Sequence, residues 1–309
     1  MTQEQQVTDT CEAGFCGIGK WSGTAEVFDG QGRFIANAMD QRFARTVTED
    51  GRIRIDLAFI GPIKFAGHYT IQDLGVQRLY EGPANAGSAE SVGANAVDAH
   101  GYWPSTGLSQ RLFLAKLPSG DRQLHLSIMS RGEQPLYTIV SESCLVPDNG
   151  QANIPGLISG ASYDLAQDPT TGRGVSLIHR DGTWRGEVRT FNADLQLIEE
   201  RSFEEQLHRV DDQWQWSLRG SLAPDHLSAT LRTDDWLAWS DMGDTVGSYS
   251  LYGGRAISGY MNHISSGLRV WRREMCTSDG LTKAILHTWY RGGQRVGAQQ
   301  GFLTFNPHT

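Results

Sequence analysis

The chain repeats itself. Gly19-Lys20-Trp21-Ser22-Gly23 returns as Gly182-Thr183-Trp184-Arg185-Gly186, and Ser105-Thr106-Gly107-Leu108 returns as Ser265-Ser266-Gly267-Leu268. Leu124-His125 with the downstream Arg131-Gly132-Glu133-Gln134 returns as Leu286-His287 with Arg291-Gly292-Gly293-Gln294. Three matches in one order, at an offset of about 160 residues, describe a duplicated domain, and a duplication constrains the fold before any local propensity does. A chain of 309 residues divides into two units, each large enough for its own core. Residues 1–15 read as a polar leader, 16–150 as the first unit and 151–309 as the second. Asp148-Asn149-Gly150 and Pro155-Gly156 punctuate the join.

Inside each unit the hydrophobic period is two, bounded by Gly, Asp or Pro, which predicts strands and tight turns. Arg52 to Leu57 and Gln213 to Leu218 are matching strands. Leu112 to Leu117, Gln123 to Met129 and Leu136 to Cys144 match Gly267 to Glu274, Ala284 to Tyr290 and Gly297 to Phe305. Helical periodicity is nearly absent, so the fold class is all-β, with two antiparallel units. The Gly-, Ala- and Asn-rich stretch from Glu81 to Ala99 has no equal in the second unit and reads as a loop or flap.

A net charge of −8 without a run of Lys or Arg argues against nucleic acid and anionic membranes as partners. The N-terminus lacks the apolar core of a secretory signal, and no stretch is long enough to span a bilayer. Four scattered cysteines suit reduced thiols, and the expectation is a cytoplasmic protein. Cys11 and Cys16 lack further ligands at zinc spacing, so no metal is expected. Gly-x-Gly-x-x-Gly, Walker and Gly-x-Ser-x-Gly motifs are missing, as is His-Glu-x-x-His, and no cofactor is expected.

A Gly-x-Trp heading an antiparallel meander, here at Gly19/Trp21 and again at Gly182/Trp184, resembles the lipocalin or calycin pattern. The resemblance implies two tandem β-barrels, each with its Trp plugging one end. It also implies a basic residue from late in each barrel stacked on that Trp: Arg131 in the first unit, Arg291 or Arg295 in the second. Carotenoid 1,2-hydratases and certain cyclases are similar in architecture. Such barrels hold small apolar ligands. Three sites are open: either barrel, or the groove between them.

On alternation, His125 shares a face with Ser127 and Met129, opposite Leu124, Leu126 and Ile128, while His287 shares a face with Ile285 and Trp289. These two histidines lead the candidates for proton transfer, in what reads as one register of the two copies. His263 with Tyr260 in the second unit, and His100 with Tyr102 in the first, place a Tyr–His pair near one turn. Asp235, beside Trp236, is the candidate acid, and burial would raise its pKa. Asp56, flanked by Arg54, reads as solvent-exposed. Arg255, Trp271, Arg273, Trp289 and Tyr252 would suit a ligand with one polar group and an apolar body. Two functions follow. One is a cofactor-independent hydratase, lyase, isomerase or cyclase acting by acid–base chemistry on a hydrophobic small molecule. The other is a carrier for a lipid, pigment or tetrapyrrole, haem included. A homodimer is compatible with either.

Overall fold

A computed structural model describes residues 17–46, 51–61, 65–146, 178–222, 224–234, 236–252 and 254–307. The expected leader, Cys11 and Cys16, the join at 148–156 and Asp235 lie outside them. Every regular element in the described residues is a strand, and they close into two ten-stranded antiparallel barrels. Each is a simple meander whose last strand pairs with its first: β1 (Gly19–Asp29) with β10 (Gln134–Leu145), and β11 (Gly182–Asn192) with β20 (Gln294–Pro307). This is the tandem lipocalin-like architecture, with ten strands per barrel where lipocalins close with eight. Two extra strands widen the bore, so each interior must be filled by large side chains or left hollow. No described helix is long and apolar enough to cross a membrane.

The Gly-x-Trp motif has a steric cause. Gly19 and Gly182 hold φ of +119° and +152°, and a Cβ there would lie 2.6 Å from Leu145 or Phe305. The following Trp21 and Trp184 then turn inward and donate their indole N–H to the carbonyls of Gly17 (2.9 Å) and Ile178 (3.2 Å). The stacking cation differs from expectation. Arg180, just ahead of β11, lies over Phe305 and Trp184, and Lys283 approaches Trp184 from within. Arg131 and Arg291 are exposed at the ends of β9 (Arg122–Arg131) and β19 (Thr282–Arg291), and the Arg295 guanidinium pairs with Glu90 of the other barrel. The meander carries the Arg131 and Arg291 ends of β9 and β19 to the far rim from the Trp floor, so the late cation that reaches it is Lys283, from the opposite end of β19.

The stretch from Glu81 to Ala99 is not a flap. It forms β6 (Ala86–Ser91) and the first half of β7 (Ala96–Trp103), laddered between β5 (Gln77–Glu81) and β8 (Leu108–Lys116). Its small residues have poor strand propensity but suit the barrel wall: Ala89, Val97 and Ala99 pack with Leu114.

The barrels share an apolar seam. Leu124, Leu126 and Ile128 of β9 and Phe113 of β8 pack in one cluster with Ala284 and Leu286 of β19 and Met275 of β18 (Leu268–Cys276). Arginines fix its margins. Arg255, 1% exposed, reaches Glu26 at 3.3 Å and Glu142 at 3.1 Å, while Arg273 grips Asp98 with two hydrogen bonds of 2.5 and 2.8 Å. The Arg295–Glu90 pair lies at the rim, about one-quarter to one-third exposed on both sides. Solvent screens such a pair, so Arg295→Met should lower stability by less than about 1 kcal/mol in urea unfolding. A loss of several kcal/mol would show that the rim pair is part of the seam core.

Candidate active site

Cross-strand pairing aligns the two copies residue by residue. Leu108 pairs with Arg131 as Leu268 pairs with Arg291, and Trp21 pairs with Arg42 as Trp184 pairs with Glu205. His125 and Ser141 are opposite each other as Ile285 and Gly301 are. His125 therefore corresponds to Ile285, and His287 to Ser127. The two histidines share a face but not a position: they are displaced by two residues, and the Leu-His match in the sequence is a slipped register.

This alignment explains why one barrel is full and the other hollow. The second barrel contains Trp216, Trp289, Tyr249, Arg272, Lys283, Glu205, Glu274 and His287, all buried. Arg272 bonds Glu205 and Glu274, Lys283 Nζ reaches both carboxylates, His287 Nε2 is 2.9 Å from Glu274 Oε1, and the Trp216 indole donates to Glu205 at 2.6 Å. The first barrel places Leu112 for Arg272, Leu114 for Glu274, Gln123 for Lys283, Ser127 for His287, Met129 for Trp289, Ile55 for Trp216 and Ala89 for Tyr249. Smaller side chains at six of these seven inward positions, and an apolar one at the seventh, line or border a cavity of about 360 Å³. That is within the size range of small-molecule sites. It runs from the rim at Asn85, Trp103 and Thr106 down to His125, Arg42 and Tyr69.

The deep end is polar. Asp40 of β2 (Phe34–Thr46), fully buried, accepts a hydrogen bond from Ser141 Oγ at 2.8 Å, and Ser141 Oγ is 3.2 Å from His125 Nδ1. Asp40 and Ser141 belong to strands on either side of β1, and they meet across it because β1 presents Gly23 and Ala25 there. A Cβ on Gly23 would come within 1.9 Å of the Glu142 carbonyl. Arg42 Nε lies 3.3 Å from Asp40 Oδ2, and its Nη2 donates to Ser143 Oγ. Gln110 donates to Ser127 at 2.6 Å higher in the bore.

A carboxylate only accepts, so Ser141 spends its proton on Asp40 and accepts from His125 Nδ1–H. That assigns the tautomer and leaves the Nε2 lone pair, buried and without a hydrogen-bond partner, on a ring that lines the cavity. Burial pushes the His125 pKa down to about 4, with Arg42 adding to the fall and Asp40 opposing it, so the imidazole is neutral at physiological pH. Burial likewise raises the Tyr69 phenol, which also feels Arg42 and Asp40.

The remaining candidates are placed elsewhere. His287 is locked to Glu274 in the filled barrel, and Trp289 donates to Gln299 there at 3.3 Å. Tyr260 points outward, stacked on Trp271 beneath Arg269. His263 turns instead to Asp244 and Ser266, 2.8 Å from each. Arg255, Trp271, Arg273 and Tyr252 belong to the seam or its margin: Arg273 covers the Trp271 ring, and Tyr252 packs on Phe28. His100 and Tyr102 are exposed on the outside of β7. Asp56 is partly exposed and holds Arg45 and Arg54. Asp40, Arg42, Tyr69 and Ser141 were not singled out by sequence, although one signal existed. At inward positions the copies differ in kind, with Phe203, Glu205, Ala229 and Gly301 in their places.

No family profile matches the chain, and no curated protein sequence does. Among solved structures, a protein of unknown function from the DUF3598 family of Nostoc punctiforme is similar with a TM-score of 0.56 at 12% identity, covering 96% of this chain and 98% of that one. The S-type phycobiliprotein lyase CPES from Guillardia theta superimposes with a TM-score of 0.36 at 10% identity, covering 45% of this chain and 98% of its own. The first likeness is one of fold; the second superposition is too loose to bear on function.

Proposed function

We propose that this chain is a cofactor-independent enzyme of the lyase or isomerase type, which moves a proton within an apolar small molecule held in the first barrel, with His125 as the base. One observation carries the reading: the cavity and the Asp40–Ser141–His125 relay occur in the same barrel. Its copy has Phe203, Gly301 and Ile285 at the relay positions, with Trp216, Trp289 and Tyr249 packed among its described interior residues. A duplicated fold needs neither feature, so their coincidence marks function.

The relay suits the chemistry. A neutral imidazole with its Nε2 lone pair in an apolar bore can take a proton from carbon, and the chain through Ser141 to Asp40 fixes the ring, with Asp40 opposing part of the burial penalty on the imidazolium that forms. Exclusion of water strengthens these interactions. A bore of about 360 Å³ favours a compact substrate over a macrocycle. Cys144 and Cys276 are free thiols, which supports a cytoplasmic setting.

The test is a substrate-independent probe of a buried base. On 5-nitrobenzisoxazole, removal of the ring C–H proton sends its electron pair into the nitrile as the N–O bond breaks, releasing a coloured phenolate. Wild type should open it, and His125→Gln should be slower by about 10²–10⁴-fold while still binding the probe by equilibrium dialysis. Equal rates would remove His125 as the base. Binding without any opening by wild type would favour the carrier reading, to which the apolar walls also lend themselves.

A further inference from the structure

Resting on the reading of His125 as base, we infer that the substrate is an uncharged carbonyl compound whose oxygen is held by Tyr69 and Arg42 while His125 Nε2 takes the proton from the adjacent carbon. The deep end is asymmetric in hydrogen-bonding type. His125 offers an acceptor from β9. Arg42 and Tyr69 offer donors from β2 and from β4 (Phe65–Leu74). Four strands lie between β4 and β9 in either direction round the ten-stranded barrel, so Tyr69 faces His125 across the bore. A group placed between His125 and Tyr69 meets a lone pair on one side and an O–H donor on the other, with the Arg42 guanidinium, held on Ser143 of β10, at the same deep end. That matches an acidic C–H next to a C=O. The copy again supplies the contrast, because Ala229 and Glu205 stand where Tyr69 and Arg42 do.

Charge sets the second half of the inference. Arg42 is the one cationic Arg or Lys lining the cavity among the described residues, and no Asp or Glu lines it. Buried Asp40, 3.3 Å away, already balances it. A ligand carboxylate would set two anions against one cation in a dry site, which is strongly unfavourable. A carbonyl oxygen that becomes negative only during reaction draws on the same donors without that penalty in the ground state.

The step balances without a co-reactant. The α-proton passes to Nε2, the C–H pair forms the C=C bond, and the carbonyl π pair moves to oxygen, where Tyr69 O–H and Arg42 hold it. Exchange of the Nε2–H proton with solvent deuterium before return to the same carbon gives the labelled ketone. Return to the far end of a conjugated system gives an isomer.

The experiment follows deuterium uptake at the α-carbons of 2-tetralone in D2O by mass spectrometry, with 2-naphthoate as an anion of similar size in a binding competition. Wild type should exchange 2-tetralone, with His125→Gln and Tyr69→Phe each slower by about 10²-fold or more. The naphthoate should bind at least about tenfold more weakly than 2-tetralone. Exchange by Tyr69→Phe at the wild-type rate, or tighter binding of 2-naphthoate, overturns the inference. If 5-nitrobenzisoxazole is opened through His125 but 2-tetralone does not exchange, the carbonyl assignment fails and the base survives. If neither reaction depends on His125, the reading of the site fails with it.

Discussion

Glu274→Gln should destabilise the second barrel by about 3–5 kcal/mol, the expected loss when one partner of a buried ion network is removed. Arg272 and Lys283, both within 1% of full burial, share Glu205 and Glu274, and His287 leans on the latter. Burial alone would raise the Glu274 carboxyl, but Arg272 and Lys283 outweigh it and hold the group well below the usual carboxylate range. With Gln at 274, two cations face one anion in a dry bore. The neutral double variant Glu274→Gln/Lys283→Gln leaves the Arg272–Glu205 pair intact and should lose less than the single change. Urea unfolding of both separates the outcomes. A single variant within about 1 kcal/mol of wild type would show that water enters the network.

Acid should unfold the protein early. His125 and His179 are both pushed down to about 4 by burial, from an ordinary 6.5. Each is neutral in the fold and protonated in the unfolded chain below pH 6.5, so between 6.5 and about 4 the unfolded state binds more protons. Stability is therefore constant above that window from these groups and falls as pH drops through it. Each histidine accounts for about 3 kcal/mol by the bottom of the window. Below the ordinary Glu value of 4.5 the lowered Glu274 adds a second loss in the same direction. Buried His287 is also held below its ordinary value and adds to the loss. Urea midpoints from pH 7 to 4 should slope steeply, and His125→Gln should make the slope above 4.5 shallower. A flat profile over that range would mean that both imidazoles reach solvent.

The strands were legible because alternation is a local property. Gln213 to Leu218 and Ala284 to Tyr290 lie within β13 (Gln213–Arg219) and β19. The stretch from Glu81 to Ala99 was not, since Ala86, Gly87 and Ala89 owe their strand conformation to ladders on both sides rather than to propensity. The facing of His125 was readable from its neighbours, but its register against His287 was not, because Leu-His recurs by chance two residues out of step. The relay was hidden for a different reason. Asp40 and Ser141 are 101 residues apart and meet across an intervening strand. One-dimensional pattern carries no information about which strand lies between two others.

β9 gives the chain a party wall. One row of its side chains, His125, Ser127 and Met129, lines the ligand cavity, and the other row, Leu124, Leu126 and Ile128, beds into the second barrel. An ordinary barrel strand has a solvent side, where change is absorbed without notice. This one has none, so neighbouring residues answer to different masters. A substitution meant to reshape the bore is borne on a strand clamped from behind, and a fault in the seam is carried straight to the His125 imidazole. The second barrel, whose described interior is packed with Trp216, Trp289 and Tyr249, thereby serves as the anvil against which the first keeps its shape.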